Sequence, residues 1–237
     1  MERYIEANPQ LFVKRWVSYI DLLGFSKIVQ DKDWVYAFSY YTRAIEQFIR
    51  RRGFENEVSR TWFSDTFIIY SNTEESFAAI ESTTRWFIFF LIRAHMPVRG
   101  AMSYGDFYAD GEKNVFFGKA LIEAYSYGEN QDWIGFILCP SAIKQMDVIG
   151  FPANKMLHYS YWDVPYKRKD IYLTPKLPAY IIGNQVQEVN GRNACLEKLE
   201  EMKSRQSDGR IVQKYVNSIE FIKKNERKVP LKPQNLC

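Results

Sequence analysis

The sequence predicts an α+β fold, a ferredoxin-like βαββαβ sheet with a helical C-terminal elaboration, on three observations. β-rich runs alternate with segments of helical spacing in a mixed order, two of those runs are separated by only two residues, and the last third turns helical. At 237 residues the chain suffices for one domain with a substantial core. The expected division is a sheet-and-helix unit over residues 1–140 and an extension over residues 141–237 packed on the same domain.

Residues 17–23 are β-formers ending at Gly24, and Val35, Phe38, Tyr41, Ile45, Phe48 and Ile49 then recur at helical spacing up to Gly53. Residues 58–63 and 66–70 are two β-rich runs joined by Ser64-Asp65, the spacing of a tight hairpin. Ser71-Asn72-Thr73-Glu74-Glu75 reads as a helix start, with the helix running through Phe77, Ile80 and Trp86 toward His95 and Pro97. Residues 98–108 read as a strand with a short continuation at 114–117, residues 119–127 as a helix opening at Gly118, and residues 133–139 as a strand. After Pro140 the pattern loosens, and residues 196–222 are helical with a break near Ser207-Asp208-Gly209.

Composition narrows the function classes. The hydrophobic content of 46% with 25% charged residues is that of a globular protein and excludes general disorder. A net charge of +4, much of it from Lys223, Lys224, Arg227, Lys228 and Lys232, leaves no nucleic-acid footprint. Cys139, Cys195 and Cys237 show no paired spacing, which argues against a disulfide framework or a structural zinc site and fits a reducing cytoplasm. Residues 1–10 lack the basic-then-apolar order of a signal peptide. The most apolar stretch, residues 86–92, is far shorter than the ~20 residues of a spanning helix, so no membrane insertion is expected.

Two acids stand where chemistry is expected. Asp21 ends an apolar strand and is followed by Leu22-Leu23-Gly24-Phe25-Ser26, a glycine turn into a helix. A carboxylate there can hold a hard cation while the turn offers backbone N–H groups to phosphate; it can equally just support the turn. Asp65, between Phe63-Ser64 and Thr66-Phe67, is by itself an ordinary hairpin residue. In a βαββ sheet, however, its strand can lie beside the strand ending at Asp21, and two such carboxylates with phosphate oxygens make a two-metal site for magnesium or manganese. Arg99, in Arg99-Gly100-Ala101, and Lys119, after Gly118, are further cations that either meet phosphate or face solvent.

With those residues in order, residues 17–139 resemble the class III adenylate and guanylate cyclase catalytic domain. The first strand of that family reads Asp-Ile-x-Gly-Phe-[Thr/Ser], matched by Asp21-Leu22-Leu23-Gly24-Phe25-Ser26. Its hairpin reads Gly-Asp followed by apolar residues, matched with one change by Ser64-Asp65-Thr66-Phe67-Ile68. Its later strand and Gly-initiated helix look like Arg99-Gly100-Ala101 and residues 118–124. The resemblance implies a cyclase domain over residues 1–140, working as a homodimer with active sites between subunits. It implies Asp21, Asp65 and the Leu22 carbonyl as ligands of two Mn2+ or Mg2+ ions, with Gly24, Phe25 and Ser26 at the triphosphate.

Departures from the family pattern bear on the substrate. The position where adenylate cyclases carry a base-reading Lys and guanylate cyclases a Glu falls at about Thr61, beside Arg60, and its partner position falls at Val115. Neither purine code is present. A Thr with a neighbouring Arg suits the acceptor-rich edge of a pyrimidine. The Asp-x-Leu-Gly-Phe and Arg-Gly-Ala segments look like those of the pyrimidine cyclases of the Pycsar antiphage system, which implies conversion of UTP, or alternatively CTP, to a 3′,5′-cyclic monophosphate read by a separate effector protein. The transition-state Asn and Arg of the family helix fall at about Ile122 and Ser126. Their loss implies either a silent nucleotide-binding sensor or another cation, with Arg99, Lys119 and Arg60 as the choices.

Overall fold

The computed structural model describes residues 12–30, 34–50, 56–167, 173–184 and 191–225. The expected helix end at Gly53, residues 1–10, the basic residues Arg227, Lys228 and Lys232, and Cys237 lie outside them. The elements in chain order are β1 (Phe12–Leu22), α1 (Phe25–Gln30), α2 (Trp34–Arg50), β2 (Val58–Phe63), β3 (Thr66–Ser71), α3 (Phe77–Arg93), β4 (Val98–Asp110), β5 (Val115–Phe117) and α4 (Lys119–Asn130). They continue as β6 (Gly135–Leu138), α5 (Pro140–Val148), a 3-10 turn (Ala153–Lys155), β7 (Tyr159–Asp163), β8 (Lys176–Tyr180), α6 (Gly191–Ser204) and α7 (Gly209–Lys224).

Among the described residues eight strands form one sheet in the order β2-β3-β1-β4-β6-β8-β7, with β5 paired to β4. The first four strands stand antiparallel in the sequence β2-β3-β1-β4, which is the arrangement of a ferredoxin-like βαββαβ unit. The parallel strand β6 and the antiparallel strands β8 and β7 then widen it beyond β4.

Alternation along β1 sorts the two faces. Trp16, Ile20 and Leu22 enter the main core with Phe48 of α2 and Phe87 of α3, whose rings lie 4.3 Å apart. Val17 enters a smaller cluster with Tyr70, Phe107 and Ala120, under α4. Tyr19 and Asp21 continue along that second face. One face is thus sealed by a large apolar core, and the other is covered only in part by one helix.

Several expectations need correction. The polar run from Ser71 does not open a helix: α3 starts at Phe77 with Ser76 as its cap, and no side-chain cap bond is made. Those polar groups are used between elements instead, because Ser71 Oγ accepts from the Trp16 amide at 3.0 Å and the Glu74 carbonyl accepts from Trp16 Nε1 at 2.8 Å. Residues 115–117 are not a continuation of β4 but fold back on it, with Ala109 opposite Phe116. The loose stretch after Pro140 holds a helix, α5, and two sheet strands. Pro178 disguises one of these, since proline cannot donate to a ladder. It is tolerated because β8 registers with β6 only through Ile137 and Ala179.

The β2–β3 hairpin turns on Ser64 and Asp65, with Phe63 opposite Thr66. Ser64 sits at φ 57°, the left-handed region that costs a residue with a Cβ about 1 kcal/mol or more. Glycine relieves that strain, offset in part by its larger unfolded-state entropy. Ser64→Gly is therefore expected to stabilise the protein by about 0.5–1 kcal/mol in urea denaturation. A loss of stability would mean that the Ser64 hydroxyl holds the turn.

Candidate functional site

The register of three strands brings the two acids together. Asp21 lies opposite Thr66 of β3 on one side and opposite Arg99 of β4 on the other. The Leu22 amide donates to the Asp65 carbonyl at 3.0 Å, which ties the hairpin turn to the end of β1. The Tyr41 hydroxyl donates to the Ser64 carbonyl at 2.9 Å and holds the same turn from α2. Gly24 then takes φ 75°, a value that frees the chain to turn from β1 into α1.

Asp21 is 8% exposed and Arg99 also 8%. Arg99 Nε and Nη2 both lie 2.9 Å from Asp21 Oδ2, so the guanidinium engages that one oxygen. Its other donors reach α4, with Nη1 on the Glu129 carbonyl at 2.9 Å and Nη2 on Glu129 Oε2 at 2.6 Å. The Tyr19 hydroxyl donates to Glu129 Oε1 at 2.9 Å, and Lys167 Nζ stands 3.9 Å from Oε2. A single buried arginine therefore bridges a strand carboxylate and a helix carboxylate.

Close approach of α4 makes that bridge possible. A Cβ at Gly128 would stand 2.7 Å from the Tyr19 ring, so only glycine lets the end of the helix settle on β1 and present Glu129 to Arg99. An acid in the last turn opposes the helix dipole, and α4 carries no basic residue there to offset it. Arg99 and Lys167 supply the balancing charge from outside the helix.

The electrostatics follow from crowding. Burial pushes the Asp21 carboxyl up to about 6; Arg99 pulls it down, while the Glu129 and Asp65 charges push it further up. The Tyr19 hydroxyl is pushed up by burial and by the Asp21 and Glu129 charges, and Tyr41 by burial and by Asp65. Negative charge is thus concentrated at one end of β1. Asp65 is half-buried, and among the described residues no hydrogen bond or ion pair engages its carboxylate.

The remaining sequence-selected residues divide. Leu22 places its side chain in the main core, Phe25 packs with its ring 5.8 Å from Tyr41, and Gly24 and Ser26 are exposed beside the turn. Thr61, opposite Ile68, lies on the face of Tyr19 and Asp21. Arg60 lies on the other face, where its guanidinium sits 5.1 Å from the Phe48 ring, because successive strand residues point to opposite sides. Lys119 is 88% exposed at the far end of α4 from Glu129, 3.9 Å from Asp106. Neither Arg60 nor Lys119 reaches Asp21 within the protomer. Ile122 is 65% exposed, on the outer side of α4.

No protein-family model matches the sequence, and no curated protein does. Among solved structures, the chain is similar to the catalytic core of a rhodopsin-guanylyl cyclase with converted specificity in complex with ATPalphaS (12% identity, TM-score 0.47, covering 71% of this chain and 94% of that one). It is also similar to the guanylate cyclase domain of RhGC from Catenaria anguillulae in complex with GTP (13% identity, TM-score 0.44, 70% and 94%) and to the adenylyl cyclase CyaB from P. aeruginosa (8% identity, TM-score 0.43, 70% and 92%). These neighbours are nucleotide cyclases. Each likeness is remote.

Among the described residues no three His, Cys, Asp or Glu side chains come together as a ready metal cage. The pair Asp21 and Asp65 fits a different mode, in which a small hard cation takes one or two carboxylates and completes its shell with water and substrate phosphate. Burial first, and then the Glu129 and Asp65 charges, raise the Asp21 pKa, and a cation beside the two acids would relieve both effects. Among the described residues no helix is long and apolar enough to cross a membrane.

The raised Asp21 pKa has a signed consequence for the metal-free protein. The carboxyl ionises near 3.8 in the unfolded chain and at about 6 in the folded one. Its contribution to stability is fully present below about pH 4 and is lost as pH rises through about 6. Asp21→Asn is expected to flatten the fall in urea-denaturation stability between about pH 4 and pH 7. An unchanged slope would place Asp21 in a solvated, ordinary setting.

Proposed function

We propose that this protein is a divalent-metal-dependent pyrimidine nucleotide cyclase that converts UTP to 3′,5′-cyclic UMP and pyrophosphate. The observation that carries the reading is the convergence of Asp21 and Asp65 at one end of adjoining strands, with Arg99 fixed beside them. Mn2+ or Mg2+ supplies the Lewis acidity that lowers the pKa of the ribose 3′-hydroxyl and neutralises the phosphates. Asp21, Asp65 and the Leu22 carbonyl are the residues that would hold it.

The roles of this chain's own groups follow from their placement. Asp21 is oriented by Arg99 through Oδ2, which leaves Oδ1 outside the guanidinium contact. Asp65 stands on a turn anchored by Tyr41 and by the Leu22 amide. Gly24, Phe25 and Ser26 bring backbone and hydroxyl groups toward the phosphates. In the reaction the 3′-hydroxyl releases its proton to solvent and O3′ forms a bond to the α-phosphorus as the bond from that phosphorus to the departing pyrophosphate oxygen breaks. Arg99 holds positive charge beside Asp21 throughout.

Thr61 is the base-reading residue in this proposal because it shares the face of Asp21. UTP is preferred over CTP on the family resemblance. A homodimer completes the site: Phe63 (85% exposed), Ile122 and Tyr125 leave apolar surface open on the face that carries Asp21. Lys119, remote within its own protomer, becomes available to the site across such an interface. The cyclic product acts as a second messenger for a separate effector protein in antiphage defence.

A second reading has its own observation. Ile122 and Ser126 put no charged group at the helix positions that the family resemblance assigns to transition-state stabilisation. A chain lacking that charge is a nucleotide-binding sensor without turnover.

Purified protein incubated with UTP, CTP, ATP or GTP in manganese is expected to release a cyclic monophosphate from UTP first, identified by mass spectrometry. Asp65→Asn is expected to reduce the rate at least about a hundredfold. Metal-dependent triphosphate binding without any product would favour the sensor. Product from ATP or GTP alone would overturn the assignment of Thr61.

A further inference from the structure

A pocket of about 450 Å3 opens on the helix-covered side of the β1–α1 turn, between that turn and the C-terminal helices. Its floor belongs to the main core or packs against it, through Leu23 and Ile134, whereas Asp21 faces the other side of β1. Lys27 of α1, Lys214 of α7 and Arg205, just past the end of α6, all line it. Among the described residues no Asp or Glu does.

The acids that balance these cations sit outside the cavity. Lys214 Nζ is 3.2 Å from Asp132, and Arg205 pairs with Glu201, which also takes His95 at 2.9 Å. Partners of this kind orient the cations without filling the space between them. Gln206 and Tyr215 add hydrogen-bonding groups to the same wall. The volume falls in the range of small-molecule sites, which combine an apolar lining with a few placed polar groups.

We propose that this pocket is a second ligand site, separate from the acidic face, that binds a phosphate-bearing anion of up to mononucleotide size. The inference does not rest on the cyclase reading: none of its cations touches Asp21, Asp65 or Glu129, and of the residues that reading assigns to substrate or metal only Gly24 also lines this pocket. It gives the C-terminal extension a role: residues from α6 and α7 form one wall, and the turn that follows Asp21 forms the other. Two successive amides join that turn to its neighbours, Leu22 to the Asp65 carbonyl and Leu23 to the Pro97 carbonyl at 2.8 Å. A ligand there bridges the C-terminal helices to the same backbone that carries the acidic pair.

Calorimetric titration of the full chain with inorganic pyrophosphate and, separately, with UMP tests the site, with EDTA present to remove divalent metal. Saturable binding of either probe is expected, equal in the wild type and in Asp65→Asn, and about tenfold weaker in Lys27→Glu and in Arg205→Glu. Binding of pyrophosphate alone assigns a free-phosphate ligand, and tighter binding of UMP assigns a nucleotide. Both substituted side chains are exposed, so the fold is retained and circular dichroism verifies it. Absence of binding by both probes, or binding weakened by Asp65→Asn and untouched by the two charge reversals, would overturn the proposal.

Discussion

Arg99 is the constraint on which the site depends. One guanidinium, nearly excluded from water, serves the strand acid Asp21 and the helix acid Glu129 together. Breaking one partner of a buried ion pair costs about 3–5 kcal/mol, because the charge left behind stays buried and unpaired. Here removal of the arginine would leave two carboxylates facing each other. The β1–β4 register puts Arg99 opposite Asp21, and the glycine at 128 lets α4 close on Tyr19 so that Glu129 completes the bridge. Sheet pairing, helix packing and charge balance are therefore one problem with one solution.

The bridge also leaves the site incompletely balanced. Arg99 carries a single positive charge, whereas Asp21, Glu129 and Asp65 carry up to three negative ones, with Lys167 near only one of them. Burial and this excess together raise the Asp21 pKa. That imbalance favours a cation at the acidic end of β1. The proposed homodimer would cover the apolar groups left open on the same face, Phe63, Ile122 and Tyr125.

The sequence made the βαββαβ order legible because the hairpin spacing at Ser64-Asp65 and the helical periods of α2 and α3 are strong local signals. The convergence of Asp21 and Asp65 followed from that order. Glu129 and Lys167 were not legible, since their roles arise from tertiary contact; the one local hint was an uncompensated acid in the last turn of a helix. Arg60 and Thr61 show the limit of position counting. Adjacent strand residues point to opposite faces, so only one of them can share a wall with Asp21, and the register identifies Thr61. The strands β7 and β8 were hidden by Pro178 and by aromatic runs without clean alternation.

In the proposed cyclase, Asp21 and Asp65 together create affinity for a divalent cation. Equilibrium Mn2+ binding followed by electron paramagnetic resonance, with UTP present and at neutral pH, measures it directly in the wild type, Asp21→Asn and Asp65→Asn. Protein-dependent binding in the wild type beyond that of the Mn2+–UTP complex is expected, with a loss of about tenfold or more in affinity in each variant. Equal Mn2+ affinity in all three proteins would contradict it and leave the two acids as turn residues held by an arginine.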